Sequence, residues 1–181
     1  AVGTPGTAPG FVVCSAEGLA KLGIRRDDAV ELVGLGHAVA DLTVPPDDLA
    51  ALSTSKRAAD RAKAMAGIGN DAIGTFEVHD CFSITGILTV EALGLAQPGE
   101  GVDAVLAGET KPGGRFPTNT SGGLVGYGHP TGATGVRMAV DLWKQLTGKA
   151  GEAQLDLKAD HGLLVNMGGN DKTVVSLVLR R

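Results

Sequence analysis

Three side chains in this sequence carry groups that could do proton chemistry together. His79 and Cys81 lie in Glu77-Val78-His79-Asp80-Cys81-Phe82-Ser83. His129 lies in Gly126-Tyr127-Gly128-His129-Pro130-Thr131-Gly132-Ala133-Thr134-Gly135. Imidazole titrates near neutral pH, so it can take a proton, give one, or donate a hydrogen bond to a developing oxyanion. A thiol beside a histidine can serve as acid, base or nucleophile. Glycines allow unusual dihedrals and close approach of backbone to a ligand. Pro130 fixes the backbone after His129 and removes a competing donor. The blander alternative is structural. His129 then satisfies a local carbonyl, His79 and Asp80 pin a loop, and Cys81 is inert. A metal site is a weaker alternative, because no Cys-x-x-Cys or His-x-x-x-His spacing accompanies these residues.

Positioning such groups requires elements that end beside them. Ile73 to Val78 is a short apolar run that reads as a strand. Beyond Cys81, Ile84, Ile87, Leu88, Ala92 and Leu95 recur at helical spacing, with Ser83 as the expected N-cap. After Gly135, Val136, Ala139, Val140, Trp143 and Leu146 do the same. His79 and Cys81 are thus placed at a strand's C-terminal end, where open α/β sheets bind ligands.

The remaining chain fills in the frame. Residues 1–10, rich in Gly, Pro and Thr, read as a flexible tail, and 11–181 as one domain. Phe11 to Cys14 reads as a short strand with Cys14 a buried small hydrophobe. A helix is expected over 15–22 with Gly23 closing it. A long strand follows over 29–40, on which His37 is structural. Pro45-Pro46 ends it, and an alanine-rich helix spans 53–66. The stretch 98–118 shows no period. Strands over 158–166 and 173–179, joined by a turn at Asn170-Asp171, are expected to form an antiparallel hairpin. The class is α/β: a mixed five-stranded sheet with helices on both faces.

Composition narrows the partners. The chain has 181 residues, 43% of them hydrophobic, and a net charge of −4 without a sustained basic run. That argues against nucleic acid and anionic membrane surfaces. No apolar run has the length of a membrane span, and the opening residues lack the charged and apolar regions of a signal peptide. Two cysteines make no disulfide framework, which favours a reducing compartment: the cytoplasm, or a peroxisome or mitochondrion in a eukaryote. Abundant Ala and Gly with few aromatics predict close helix–sheet packing.

The two loops together resemble the thiolases, and among them the sterol-carrier-protein type, which carries His-Asp-Cys-Phe where other thiolases have Asn-Glu-Ala-Phe. Gly128-His129-Pro130 with Gly132-Ala133-Thr134-Gly135 resembles the family's histidine motif. Asn119-Thr120-Ser121-Gly122-Gly123 is similar to its Asn-Pro-x-Gly-Gly loop, with Thr120 in place of proline. Asn166-Met167-Gly168-Gly169 matches the C-terminal loop that is elsewhere Cys-x-Gly. The resemblance implies the C-terminal half of an enzyme that makes or breaks the carbon–carbon bond of a 3-ketoacyl-CoA by Claisen chemistry. His129 would activate the nucleophile and line an oxyanion hole. His79 would donate to the thioester oxygen, Cys81 would exchange a proton with the substrate α-carbon, and Gly168 would offer its N–H to a second oxyanion hole. Asn119, Gly122, Gly123, Gly128 and Asn166 would line the substrate. Coenzyme A enters as substrate, with no separate cofactor or metal.

The family's nucleophilic cysteine belongs to the N-terminal half, and Cys14 has no glycine loop beside it. The resemblance therefore implies an N-terminal thiolase half as partner, a homodimer or larger oligomer, and inactivity of this chain by itself. Two other readings stay open. One is a thiolase-fold retro-aldolase acting on a 3-hydroxyacyl-CoA. The other is a non-catalytic subunit that binds a partner or an acyl-CoA.

Overall fold

The computed structural model describes residues 10–181; the expected tail over 1–10 lies, but for Gly10, outside the described residues. Four strands form one sheet: β1 (Glu31–Val39), β2 (Ile73–Val78), β3 (His161–Gly168) and β4 (Thr173–Arg180). Their spatial order is β1-β4-β3-β2. β1 and β3 run antiparallel to β4, and β2 runs parallel to β3. The sheet is mixed, as the sequence suggests, and the last two strands form the expected hairpin. It has four strands rather than five. Phe11, Val12 and Val13 are exposed and pair with nothing among the described residues, so a short apolar run alone does not make a strand there. Cys14 is exposed too, not buried.

Among the described residues six α-helices connect and cover the strands: α1 (Ala16–Lys21), α2 (Ser53–Ala66), α3 (Ser83–Ala92), α4 (Gly101–Leu106), α5 (Gly123–Tyr127) and α6 (Thr134–Leu146). α2 and α3 cover one face and α6 the other. α2 lies unusually close. A Cβ at Gly34 or Gly36 of β1 would overlap the carbonyl oxygens of Ala62 and Ala58. Ala58, Ala59 and Ala62 are accordingly fully buried. Small residues on both elements permit backbone-to-backbone packing, as the composition predicts. On the other face Met138, Leu142 and Leu146 of α6 pack against Leu164 and Leu179.

α2 begins without a side-chain cap of its own. Its first N–H groups are met from afar by Asp171, in the β3–β4 turn. The carboxylate accepts from Thr54 N at 2.9 Å, Ser55 N at 2.8 Å and Ser55 Oγ at 2.6 Å. A carboxylate on the positive end of a helix is well placed electrostatically. Asn170 and Asp171 both have positive φ, 55° and 66°, consistent with the tight turn expected there.

α6 covers only part of its face. Leu35↔Leu177, His37↔Val175 and Val39↔Thr173 are paired across β1 and β4. Leu177 packs against the α6 cluster, whereas Leu35, Val39 and Val175 on the same face are 48%, 58% and 37% exposed. His37 is exposed on this strand, in the row that runs through Val175 to Asn166.

Candidate active site

β2, the last strand of the sheet, runs parallel to the interior strand β3, and nearly every residue on the two is buried. Their C-terminal ends deliver His79 and Asn166 to the same place. His79 is buried, and its Nδ1 donates to Asn166 Oδ1 at 2.7 Å. Burial disfavours the charged ring, and the neighbouring His129 works in the same direction. Together they hold the His79 pKa below its ordinary value against the hydrogen bond to Asn166.

His129 comes from the loop between α5 and α6. Its ring meets that of His79 edge to face, with centroids 4.7 Å apart and planes at 86°. The Thr134 hydroxyl, in the first turn of α6, gives its hydrogen to Pro130 O at 3.2 Å and receives one from His129 Nδ1 at 2.7 Å. The loop is further fixed by Tyr127, over whose ring the Arg137 guanidinium sits at 3.5 Å. Arg137 in turn donates to the buried carboxylate of Asp141 at 2.8 Å, which also accepts from Ser121 Oγ at 3.3 Å. Gly128 has φ of 84°, a conformation that favours glycine.

The glycine loop before His129 is tied to the His79 loop by two side chains. Asn119 Oδ1 accepts from Val78 N at 2.7 Å, and Asn119 Nδ2 donates to Val78 O at 2.9 Å. Asn119 therefore clamps the end of β2. Asp80 Oδ1 accepts from Leu124 N at 2.8 Å and so holds the start of α5. Gly123 must be glycine: any Cβ there would strike Asp80 Oδ2 and the Asn119 amide. Gly122, with φ of 115°, precedes it. His79 and Asp80 thus do not pair with each other; each has its own partner. The Thr120 hydroxyl is buried without a hydrogen-bond partner among the described residues.

Cys81 follows on the same loop, half-buried and unbridged. The expected N-cap role of Ser83 is not seen. α3 starts at Ser83 itself, and the preceding residue, Phe82, gives no side-chain cap. Gly168 closes β3, two residues past Asn166, and is exposed. The structure therefore brings His79, His129 and Asn166 into direct or ring contact, with Cys81 and Gly168 on the flanking strand ends. Phe82, Ile84, Val125 and Tyr127 form an exposed apolar rim around these loops. No cluster of metal-ligating side chains occurs among the described residues. Thr134 and Asp80 are contributors that motif reading passes over. Thr134 had a legible signal, since it lies one helical turn beyond Pro130.

Residues 37–181 match a family model described as thiolase C-terminal domain-like. An acetyl-CoA acetyltransferase of Methanothermobacter thermautotrophicus is 42% identical over 134 residues, covering 74% of this chain and 35% of that protein. Sterol carrier protein 2 of Rattus norvegicus is 36% identical over 175 residues, covering 94% of the chain and 31% of that protein. An acetyl-CoA acetyltransferase of Methanocaldococcus jannaschii is 32% identical over 180 residues, covering 95% and 45%. The chain thus spans 31–45% of the length of these relatives.

Proposed function

Because the chain belongs to the thiolase C-terminal domain-like family, we propose that it is the C-terminal half of an acyl-CoA thiolase. The reaction joins or cleaves the bond between the α-carbon of one acyl-CoA and the thioester carbonyl of another. The observation that carries this reading is the meeting of His79 and His129 at 4.7 Å, from two separate loops at the C-terminal edge of the sheet. Claisen chemistry needs a base for a thiol and donors aimed at an oxygen that gains charge. Two imidazoles in contact, one buried and one half-buried, can meet both needs.

In this reading His129 Nε2 takes the proton of a nucleophilic cysteine supplied by the N-terminal half. Its Nδ1–H bond to Thr134 leaves Nε2 with the required lone pair. The charged ring that results can then donate to the oxygen of the tetrahedral intermediate. Cys81 exchanges a proton with the substrate α-carbon, and the Gly168 N–H serves the second oxyanion. Gly122, Gly123 and Gly128 let the backbone approach the acyl-CoA. The apolar rim of Phe82, Ile84, Val125 and Tyr127 suits contact with the other half or with the acyl chain. Names of the relatives support the acetyltransferase class and a lipid-related role. Incubation with acetoacetyl-CoA and coenzyme A tests the reading. The chain joined to its N-terminal half should form acetyl-CoA, and the chain by itself should not. Absence of turnover in the joined protein would reject the thiolase assignment.

A further inference from the structure

Each of the two catalytic-candidate rings has its Nδ1 engaged by an oxygen. For His129 the acceptor is Thr134 Oγ1, whose own hydrogen goes to Pro130 O. For His79 it is Asn166 Oδ1, at 2.7 Å. An amide oxygen can only accept, so the proton between them belongs to His79 Nδ1. A neutral ring with its proton on Nδ1 has a lone pair on Nε2. The expected part of His79, donating to the thioester oxygen, asks for the opposite arrangement.

Asn166 has a defined place in the fold. It sits where β3 ends against the first turn of α6. A Cβ at Gly135 would lie only 2.8 Å from its Nδ2. The missing side chain at Gly135 makes room for this amide, and the amide fills that room. His79 itself is buried, and its ring is packed edge to face against His129.

We propose that Asn166 is a positioning residue that holds His79 in its Nδ1–H tautomer, so that Nε2 meets the substrate first as a proton acceptor and donates only after it has gained a proton. The catalytic half of this statement rests on the thiolase reading; the tautomer does not. The proton comes from a thiol of the site. An S–H bond breaks, an N–H bond forms at Nε2, and thiolate and imidazolium result with no electron transferred. His79 and His129 are then alike in the resting site: two acceptors a ring-width apart, of which one at a time carries the proton, since two adjacent cations repel. The position where a cysteine stands in other thiolases holds here a residue that cannot titrate but can choose which nitrogen of its neighbour does.

Long-range nitrogen–proton correlation spectra of the intact protein decide the tautomer, with His79→Gln assigning the signal among the four histidines. Above the titration of the ring, His79 Nδ1 should be of the protonated type and Nε2 of the bare type. The reverse pattern in the wild-type protein overturns the proposal without recourse to any Asn166 variant. Asn166→Asp keeps an acceptor oxygen and should keep the tautomer. Asn166→Ala removes it, and should move the proton to Nε2 and lower thiolysis roughly a hundredfold or more. An Asn166→Ala protein with the wild-type tautomer, or with full turnover despite a changed one, also overturns it. Wild-type turnover of acetoacetyl-CoA separately tests the thiolase reading: its absence alongside the Nδ1–H tautomer would reject that reading and leave the tautomer assignment standing.

Discussion

Glu77 and His79 are separated by one residue on a buried strand end, and burial drives both to the neutral form. For Glu77, loss of water raises the carboxyl pKa well above 4.5, with the Asp141 and Asp80 carboxylates adding to the effect and Arg137 opposing it. The folded state then holds this proton more tightly than the unfolded state. Stability is therefore lost as pH rises through 4.5 toward the folded value. Glu77→Gln should remove that slope and raise the urea midpoint at neutral pH; an unchanged slope would place the titration elsewhere. For His79 the sign is opposite. Its folded pKa lies below 6.5, so the folded state binds the proton less well than the unfolded one. Stability falls as pH drops below 6.5, and the penalty is complete below the folded value. Neither shift is visible in the motif, because both arise first from burial, which the fold and not the local sequence creates. Cys81 makes the sharper test of chemistry. In the enzyme completed by its N-terminal half, Cys81→Ala should lower thiolysis by about two to four powers of ten and spare burst acylation of the nucleophile. Cys81→Ser should do no better, since a hydroxyl is a far weaker acid than a thiol. Unchanged turnover of Cys81→Ala would remove this residue from the mechanism.

The elements that carry these side chains were readable wherever a period is long enough to register. Ile73–Val78 reads as a strand and is one. The alanine-rich segment reads as a helix over 53–66 and forms there. The short helices α4 and α5 escape such reading, because five or six residues do not establish a period of 3.6, whereas α1, equally short, was legible with Gly23 closing it. Phe11 to Cys14 fails in the other direction, with a strand-like pattern but no partner. The candidate site was legible in its residue types and not in its connections. The clamp of Asn119 on Val78 is absent from its motif, and Asp80 looks like a partner of His79 and proves to hold Leu124. Two substitutions probe the frame. Asp171→Ala removes acceptors from two N–H groups and a hydroxyl at the start of α2, and should destabilise by about 1–2 kcal/mol in urea unfolding. Gly36→Ala should cost about 1–3 kcal/mol or more, since its Cβ meets backbone rather than a movable side chain. At Gly126 nothing lies within 4 Å of an added Cβ, so Gly126→Ala is the matched control. Equal losses at both glycines would contradict the close packing of α2.

At the scale of the molecule, the sheet face beside α6 is the unfinished part. Leu35, Val39 and Val175 line it, 48%, 58% and 37% exposed, next to residues that α6 covers. The relatives extend well beyond the matched region, with only 31–45% of their length represented here. On the proposed thiolase reading, the N-terminal half is expected to pack on this face and bring its cysteine to His129. An apolar face on a strand pair loses little by gaining one charge while it faces water, where surface changes stay within about 0.5 kcal/mol. The same charge under a packed layer has no solvent and no partner, and is strongly disfavoured. Leu35→Lys therefore separates the two situations. In the chain alone it should leave the urea midpoint nearly unchanged. In the chain joined to the other half it should weaken association and abolish thiolysis together. His37→Lys, on the same strand face but already polar, should be milder in both. Full activity of the joined Leu35→Lys protein would show that the face stays in water, and the second half would then have to reach His129 from the loop side, over the rim of Phe82 and Tyr127.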